Sequence, residues 1–381
     1  MNSNLGLDRL SLPLLLISLP ITVMSVLLPM YTSALGLNAL QVTGLFSVFS
    51  FILVIMRLFI GRITDRIGRK PVFISGLLFY ALSYFIYTIG RTISLIYIGR
   101  SLQAIAAASV NISIYSMIAD LNIKGNAHSF GKINGYYDKG GLLGIILCFF
   151  VLYTPSLVDG WSRLFAICTF LAILSITYSL IFLHETKPLS RNISKVSLND
   201  NKNLLRIFSL IFSIFTSTVS AIFVLYLQSR FNSDLLEIGI AFLFPNLILA
   251  FASPRLGRIS DNIGSKKVFS VSLIMLIISM FVLPFMDNIY LFGAIWTIYI
   301  IAITLLDVTL MGVYVEDLKE EIRGAAIGKL TMASNIGSII GPVIGGLAFQ
   351  IINIKAPFII STIGFVLMLI MIIYYGRHQF N

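Results

Sequence analysis

Of the five charged side chains inside otherwise apolar stretches of the sequence, Arg57, Arg100, Asp138, Lys139 and Asp307, three stand out: Arg100, Asp138 and Asp307. A charge in such surroundings is costly unless it meets a partner, a proton or a wet cavity, so each is a candidate for recognising a solute or carrying a coupling ion. Asp138 is the first choice for either role, because a repeat described below has Asn335 at the equivalent position and Asp138 is therefore not scaffold common to both copies. The competing reading is a structural ion pair with Arg100 or with Lys139, although Lys139 is about 100° away around a helix. Arg100 shares a helical stripe with Ala107 and Asn111, with Gln103 beside it, and either couples or braces the bundle. Asp307 lies near a stripe of Thr304, Met311 and Tyr314, where it lines a cavity or hydrogen-bonds to a neighbouring helix. Arg57, one turn before Gly61, reads as a side chain snorkelling toward the nearer surface. Ser18/Thr22/Ser25 and Ser213/Ser217/Ser220 recur at helical spacing. They could orient a solute, but hydroxyls in apolar helices more commonly bond between helices or back to their own backbone.

The elements that position these residues follow from composition. Of 381 residues 57% are hydrophobic and only 11% charged, against roughly 25% charged in soluble domains. With a mean hydropathy of +0.95, a water-soluble globule and a disordered chain are both excluded. Twelve apolar stretches are long enough to cross a bilayer as helices, the second at Val42–Ile60, the third at Val72–Ile89 and the eleventh at Ile327–Gln350. The 27 Lys and Arg residues divide as 20 in both termini and the even-numbered loops, 4 in the odd-numbered loops, and 3 within spans. That asymmetry places both termini in the cytoplasm and accounts for the net charge of +11 without a nucleic-acid partner. Cys148 and Cys168 fall in apolar spans as packing residues, and three isolated histidines offer no metal-ligand spacing. The 29 Phe and 16 Tyr are expected for the most part to face lipid and the membrane interface.

The spans divide six and six around the polar stretch 184–203. Domains are therefore expected at 1–183 and 204–381, joined by a cytoplasmic linker at 184–203. The halves repeat: Gly61-Arg62-Ile63-Thr64-Asp65-Arg66-Ile67-Gly68 recurs as Gly257-Arg258-Ile259-Ser260-Asp261-Asn262-Ile263-Gly264. Gly140 and Gly144 recur as Gly337 and Gly341. Parallel repeats of this kind suit two bundles related by an axis along the membrane normal, with a site between them.

The run from Gly61 through Asp65, Arg66, Gly68 and Arg69 to Lys70 resembles the loop motif of the major facilitator superfamily, G-x-x-x-D-R-x-G-R-[KR], between its second and third helices. The resemblance covers the whole chain. It implies an all-α, twelve-helix membrane protein of two pseudo-symmetric six-helix bundles that moves a small solute by alternating access. It also implies a latch, in which Asp65 secures one state against helix eleven and Arg69 pairs with Asp120 at the end of helix four. Independently of the family, Gly61 is expected to allow close helix approach, Gly68 a tight turn, and Asp65 to accept hydrogen bonds at a helix N-terminus. The second copy keeps Gly257, Asp261 and Gly264, but Ser265 stands where Arg69 does, so Asp317 lacks that partner and the second latch is expected to be weaker. Arg100-Ser101-Leu102-Gln103 resembles the family's R-x-x-Q-G motif with Ala104 in place of Gly. Gly337, Gly341, Pro342, Gly345 and Gly346 form the family's antiporter pattern on span eleven, whereas span five keeps Gly140 and Gly144 without the proline. Helix packing is the safer reading of both. The sequence after span six, Phe182-Leu183-His184-Glu185-Thr186-Lys187, is only loosely similar to family sequences.

The resulting expectation is a monomeric, multi-pass carrier in the cell membrane, without cofactor, metal or catalytic cluster, exporting a small organic or amphipathic solute in exchange for protons. Uptake of a small polar nutrient by symport or facilitated diffusion is the alternative, favoured by the departure on span five. A receptor retaining the transporter fold ranks third. The stretch 125–133 is no phosphate loop, since its glycines are one residue too far apart and Ile133 replaces Ser or Thr. Asn192-Ile193-Ser194 matches a glycosylation pattern on the wrong side of the membrane.

Overall fold

A computed structural model of the chain describes residues 3–120, 135–137, 139–144, 146–147, 156–186, 202–231, 237, 264–315 and 320–375. Among them are ten helices long and apolar enough to cross a membrane. They are α1 (Ser3–Ala34), α2 (Ala39–Ile67), α3 (Arg69–Ile89), α4 (Ile93–Asp120), α5 (Leu157–Phe182), α6 (Asn203–Phe231), α7 (Ser265–Val282), α8 (Ile289–Val315), α9 (Glu320–Leu347) and α10 (Ala356–Tyr375). These occupy the predicted spans one to four, six, seven, and nine to twelve. Most of spans five and eight lies outside the described residues.

Several helices outrun their spans. The expected loop between spans two and three is almost entirely helical: α2 continues through Gly61 to Ile67, and only Gly68 separates it from α3. No strong helix breaker occurs before Gly68, and Arg62, Asp65 and Arg66 are tolerated on exposed helical positions. Likewise α9 starts at Glu320, ahead of the predicted Ile327, continues through Pro342, and ends in a π-turn at Ala348–Ile352. Helix α1 contains Pro13, Pro20 and Pro29, as apolar packed surroundings permit. Ser156 caps α5, its hydroxyl accepting from the Asp159 N–H at 3.4 Å.

The chain divides into two compact units, Met1–Leu37 with Val48–Ile193, and Asn38–Ser47 with Ser194–Asn381. In the first, α3 packs on α4 and α5, and α1 on α5. Its aromatic core stacks Tyr31 on Trp161 at 4.2 Å, with the indole N–H donating to Tyr87 O at 2.8 Å and the Tyr31 hydroxyl to Gly90 O at 2.7 Å. In the second unit, α6 packs on α9 and α10, and α7 on α8 and α10. There Phe223 lies 3.8 Å from Trp296, and Tyr226 meets Phe358 edge-on at 4.6 Å. The aromatic residues divide between two settings: Trp161, Tyr31, Tyr84, Tyr226, Tyr299, Phe165 and Phe223 are fully buried, while Phe51, Phe59, Phe85, Phe170 and Tyr374 are more than half exposed. Lipid solvates apolar groups as well as a protein interior does, so hydropathy alone cannot assign an aromatic side chain to either face. The outward surface remains apolar, with Phe59, Phe170, Ile278 and Leu367 all more than half exposed, as a lipid-contacting surface requires.

Candidate functional site

The polar corner at the α2–α3 junction is built around a backbone turn and one guanidinium. Gly68 has φ 124°, a left-handed conformation that side chains resist. An added Cβ there would also meet the Glu185 carboxylate at 2.5 Å. The turn brings Arg69 inward, where its Nε donates to Asp120 Oδ2 at 2.7 Å, with the two side chains only 5% and 1% exposed. Arg69 Nη1 also donates to Thr64 O at 3.0 Å, and Nη2 lies 3.4 Å from half-exposed Asp65. Arg66 is an exposed cation in the last turn of α2, where the helix dipole favours positive charge.

Sequence reasoning missed the second anchor of this corner. Glu185 accepts from the backbone N–H of Arg69 at 2.8 Å and from that of Lys70 at 3.1 Å. A carboxylate thereby occupies the N-terminus of α3, satisfying donors that have no intrahelical partner. Thr186 donates to Asp120 Oδ2 at 3.4 Å, and Lys70 Nζ donates to Leu180 O at 2.9 Å. The available signal was an acidic residue immediately after span six, on the side rich in Lys and Arg. The close approach expected at Gly61 is absent among the described residues, since an added Cβ would meet nothing within 4 Å. The second copy repeats the turn: Gly264 has φ 91° and precedes α7. Gly257, Asp261 and Asp317 lie outside the described residues.

Deeper in the first unit, Arg100 is buried on α4 and donates from Nη1 to Gln103 Oε1 at 2.6 Å. Its guanidinium carbon stands 4.3 Å from the centre of the Phe49 ring of α2, and the Tyr87 hydroxyl donates to the same Gln103 oxygen at 3.4 Å. Helix α4 is therefore tied to α2 through the Arg100 cation and to α3 through the Gln103 oxygen that the cation also holds. Asn111 accepts from the Tyr137 hydroxyl at 3.4 Å. Lys139 is exposed, with Nζ 5.8 Å from the centre of the Tyr136 ring. Asp138 lies outside the described residues. Arg57 is half-buried on α2, close enough to Tyr115 of α4 to interact electrostatically.

In the second unit Asp307 is exposed on α8, and no hydrogen bond or ion pair joins its carboxylate to another described residue. Tyr299, two turns away on the same helix, feels that charge. The Tyr299 hydroxyl is buried without a hydrogen-bond partner among the described residues, while its ring packs 4.8 Å from Trp296. Thr304 is used differently, its hydroxyl donating back to Ile300 O at 2.9 Å.

The glycine patterns are packing devices in both units. Added Cβ atoms on Gly140 and Gly144 would strike the α1 backbone at Leu15 and Leu19. Those on Gly337, Gly341 and Gly345 would strike α6 at Leu210, Ile214 and Thr218, the first at 2.5 Å. Gly346 instead abuts Thr43 within the same unit. The hydroxyl ladders serve the same interfaces. Ser18 donates to Leu15 O at 3.1 Å, Ser213 and Ser338 share a 2.9 Å hydrogen bond, and Ser217 back-bonds to Ser213 O at 2.5 Å.

Comparison with known proteins accords with this architecture. The family profile of the Major Facilitator Superfamily matches residues 10–208 and 205–380. Multidrug resistance protein 1 of Bacillus subtilis (strain 168) is 26% identical over 351 residues, spanning 88% of this chain and 87% of that protein. Quinolone resistance protein NorA of Staphylococcus aureus (strain MSSA476) is 22% identical over 353 residues, with 90% and 89% covered. Among solved structures, a bacterial homologue of the human lysosomal transporter Spinster, inward-facing and occupied, superposes with a TM-score of 0.79 at 15% identity, covering 97% and 96% of the two chains. With the profile matching nearly the whole chain in two successive copies, this multi-pass membrane protein belongs to the major facilitator superfamily of transporters.

Proposed function

We propose that this chain exports small amphipathic organic solutes across the cell membrane in exchange for protons, as a monomer without a cofactor. Both termini lie in the cytoplasm on this reading, as the distribution of Lys and Arg requires. The observation that carries it is Asp307, a carboxylate on a membrane-spanning helix with no ion-pair partner among the described residues, on the same helix as Tyr299, whose buried hydroxyl has no hydrogen-bond partner among them. A carboxylate in that setting accepts either a proton or a solute bearing a positive group, and mutually exclusive occupancy couples the two fluxes. Asp138 is the corresponding candidate in the first half of the sequence, with Arg100, Gln103 and Asn111 of α4 as further polar candidates. The names of the multidrug and quinolone relatives support the export direction. The fifth span, which lacks the proline of the antiporter pattern, favours uptake by symport or facilitated diffusion as the second reading.

Around this path the Gly61–Lys70 corner acts as a conformational latch. Arg69, Asp120 and Glu185 hold the ends of α3 and α4 to the segment following α5, so these elements move as one body. Export of ethidium, a lipophilic aromatic cation, from energised cells expressing the chain tests the proposal. A protonophore should abolish export, and Asp307→Asn should reduce it about thirtyfold, the equivalent of ~2 kcal/mol, because the amide neither exchanges a proton nor attracts a cationic solute. Export that persists after the proton gradient collapses would refute coupling. Unchanged export by the Asp307 variant would remove that residue from the path.

A further inference from the structure

In the first unit the end of α4 is closed by a cation from the loop, Arg69 on Asp120. The repeat pairs α4 with α8 and Asp120 with Asp317, but the position of Arg69 is taken by Ser265. A charged side chain nevertheless reaches the end of α8, and it comes from elsewhere. Lys202, immediately before α6, donates from Nζ to Val313 O at 3.1 Å and to Tyr314 O at 3.1 Å. Helix α8 ends at Val315, so both acceptors belong to its last turn, where carbonyls lack intrahelical partners and the helix dipole attracts a cation.

Lys202 is also the last residue but one of the stretch joining the two halves. The other end of that stretch is fastened to the counterpart helix, with Thr186 donating to Asp120 Oδ2 at 3.4 Å and Glu185 holding the start of α3. Each end of the connecting segment is thus bonded, within its own unit, to the terminal turn of α4 or of the equivalent α8. A lysine suits this position, because its four-carbon stem reaches across from a neighbouring element and its ammonium can place two donors on adjacent carbonyls.

We propose that Lys202 is the latch cation of the second half, the connecting segment having taken over the role that Arg69 fills in the first. The proposal rests on the latch reading given above and goes beyond it by naming a positioning residue outside both copies of the loop motif. The test compares Lys202→Gln, Lys202→Arg, Ser265→Arg and the double variant Lys202→Gln/Ser265→Arg in the full chain. Gln keeps a hydrogen-bond donor but removes the charge, so it separates charge from simple capping.

Hydrogen exchange at the last turn of α8 should quicken roughly two- to fivefold in Lys202→Gln. The Vmax of ethidium export should fall by about the same factor with KM unchanged. Lys202→Arg should behave like the native chain, and adding Ser265→Arg to Lys202→Gln should restore both measurements by placing a cation at the position equivalent to Arg69, beside Lys266 and Lys267. Native exchange and export in Lys202→Gln, or failure of Ser265→Arg to restore them, would overturn the proposal. Arg69→Gln run alongside separates the two ideas. If it leaves Vmax unchanged the latch reading itself fails, whereas an effect there but none in Lys202→Gln defeats this inference alone. Should the native chain not export ethidium, the export reading falls and the exchange measurements with their rescue decide the role of Lys202.

Discussion

Replacing Asp120 by Ala removes the carboxylate that Arg69 meets at 2.7 Å, in a place where the two side chains are 5% and 1% exposed. At that separation, with an effective dielectric constant of about 20, the direct attraction is ~6 kcal/mol, much of it offset by the cost of desolvating both charges. What the substitution exposes is therefore the penalty of a buried guanidinium left without its main partner, ~3–5 kcal/mol. Arg69 retains Thr64 O at 3.0 Å and half-exposed Asp65 at 3.4 Å, so the lower end of that range, ~3 kcal/mol, is expected. The measurement is reversible unfolding of the purified protein in mixed detergent micelles, as a double-mutant cycle with Arg69→Met. The double variant should be more stable than Asp120→Ala alone, because no unpaired charge remains buried. A loss below ~1 kcal/mol in Asp120→Ala, or strict additivity in the cycle, would show that the pair is solvated and refute the reasoning.

Two further substitutions test the backbone. Gly68→Ala should cost ~1–2 kcal/mol for its left-handed φ and more for the clash with Glu185, while Gly264→Ala, with the same φ preference and no described atom within 4 Å of an added Cβ, should cost the conformational part alone. Thermal unfolding of the two variants side by side reads the difference. Gly341→Leu should prevent α6 and α9 from packing and abolish recovery of folded protein, since its added atoms would strike Ile214 and Ser217. Gly293→Ala, inside α8 with no described atom within 4 Å of an added Cβ, should instead stabilise by ~0.5–1 kcal/mol. Equal yields and melting temperatures for the Gly341 and Gly293 variants would contradict the packing account.

How far the sequence could be read depends on whether a feature is local. Helix length, apolar composition and the bias of Lys and Arg between loops are properties of consecutive residues, so the all-helical membrane architecture was legible directly. The small-residue repeats were legible too: a glycine every fourth residue lies on one side of a helix, and the packing of Gly337, Gly341 and Gly345 on α6 follows from that spacing. The turn at Gly68 was legible for the same reason, because positive φ is a single-residue property. Its setting was not, since no local signal distinguishes an exposed loop from a helix that continues through polar residues to Ile67.

The tertiary structure decided everything that depends on which distant atoms meet. Glu185 is 116 residues from the Arg69 N–H it accepts from, and Lys202 is 111 residues from Val313, so neither pairing has a period or a motif to announce it. Burial decided the roles of side chains that hydropathy treats alike, placing Trp161 and Tyr226 in the cores of their units and committing Ser213 and Ser217 to helix packing. Asp307 shows the division most clearly. The sequence by itself determined that a carboxylate stands on a membrane helix, because charge is written in the residue; only the fold could show that no described cation neutralises it, because compensation is a matter of neighbours in space.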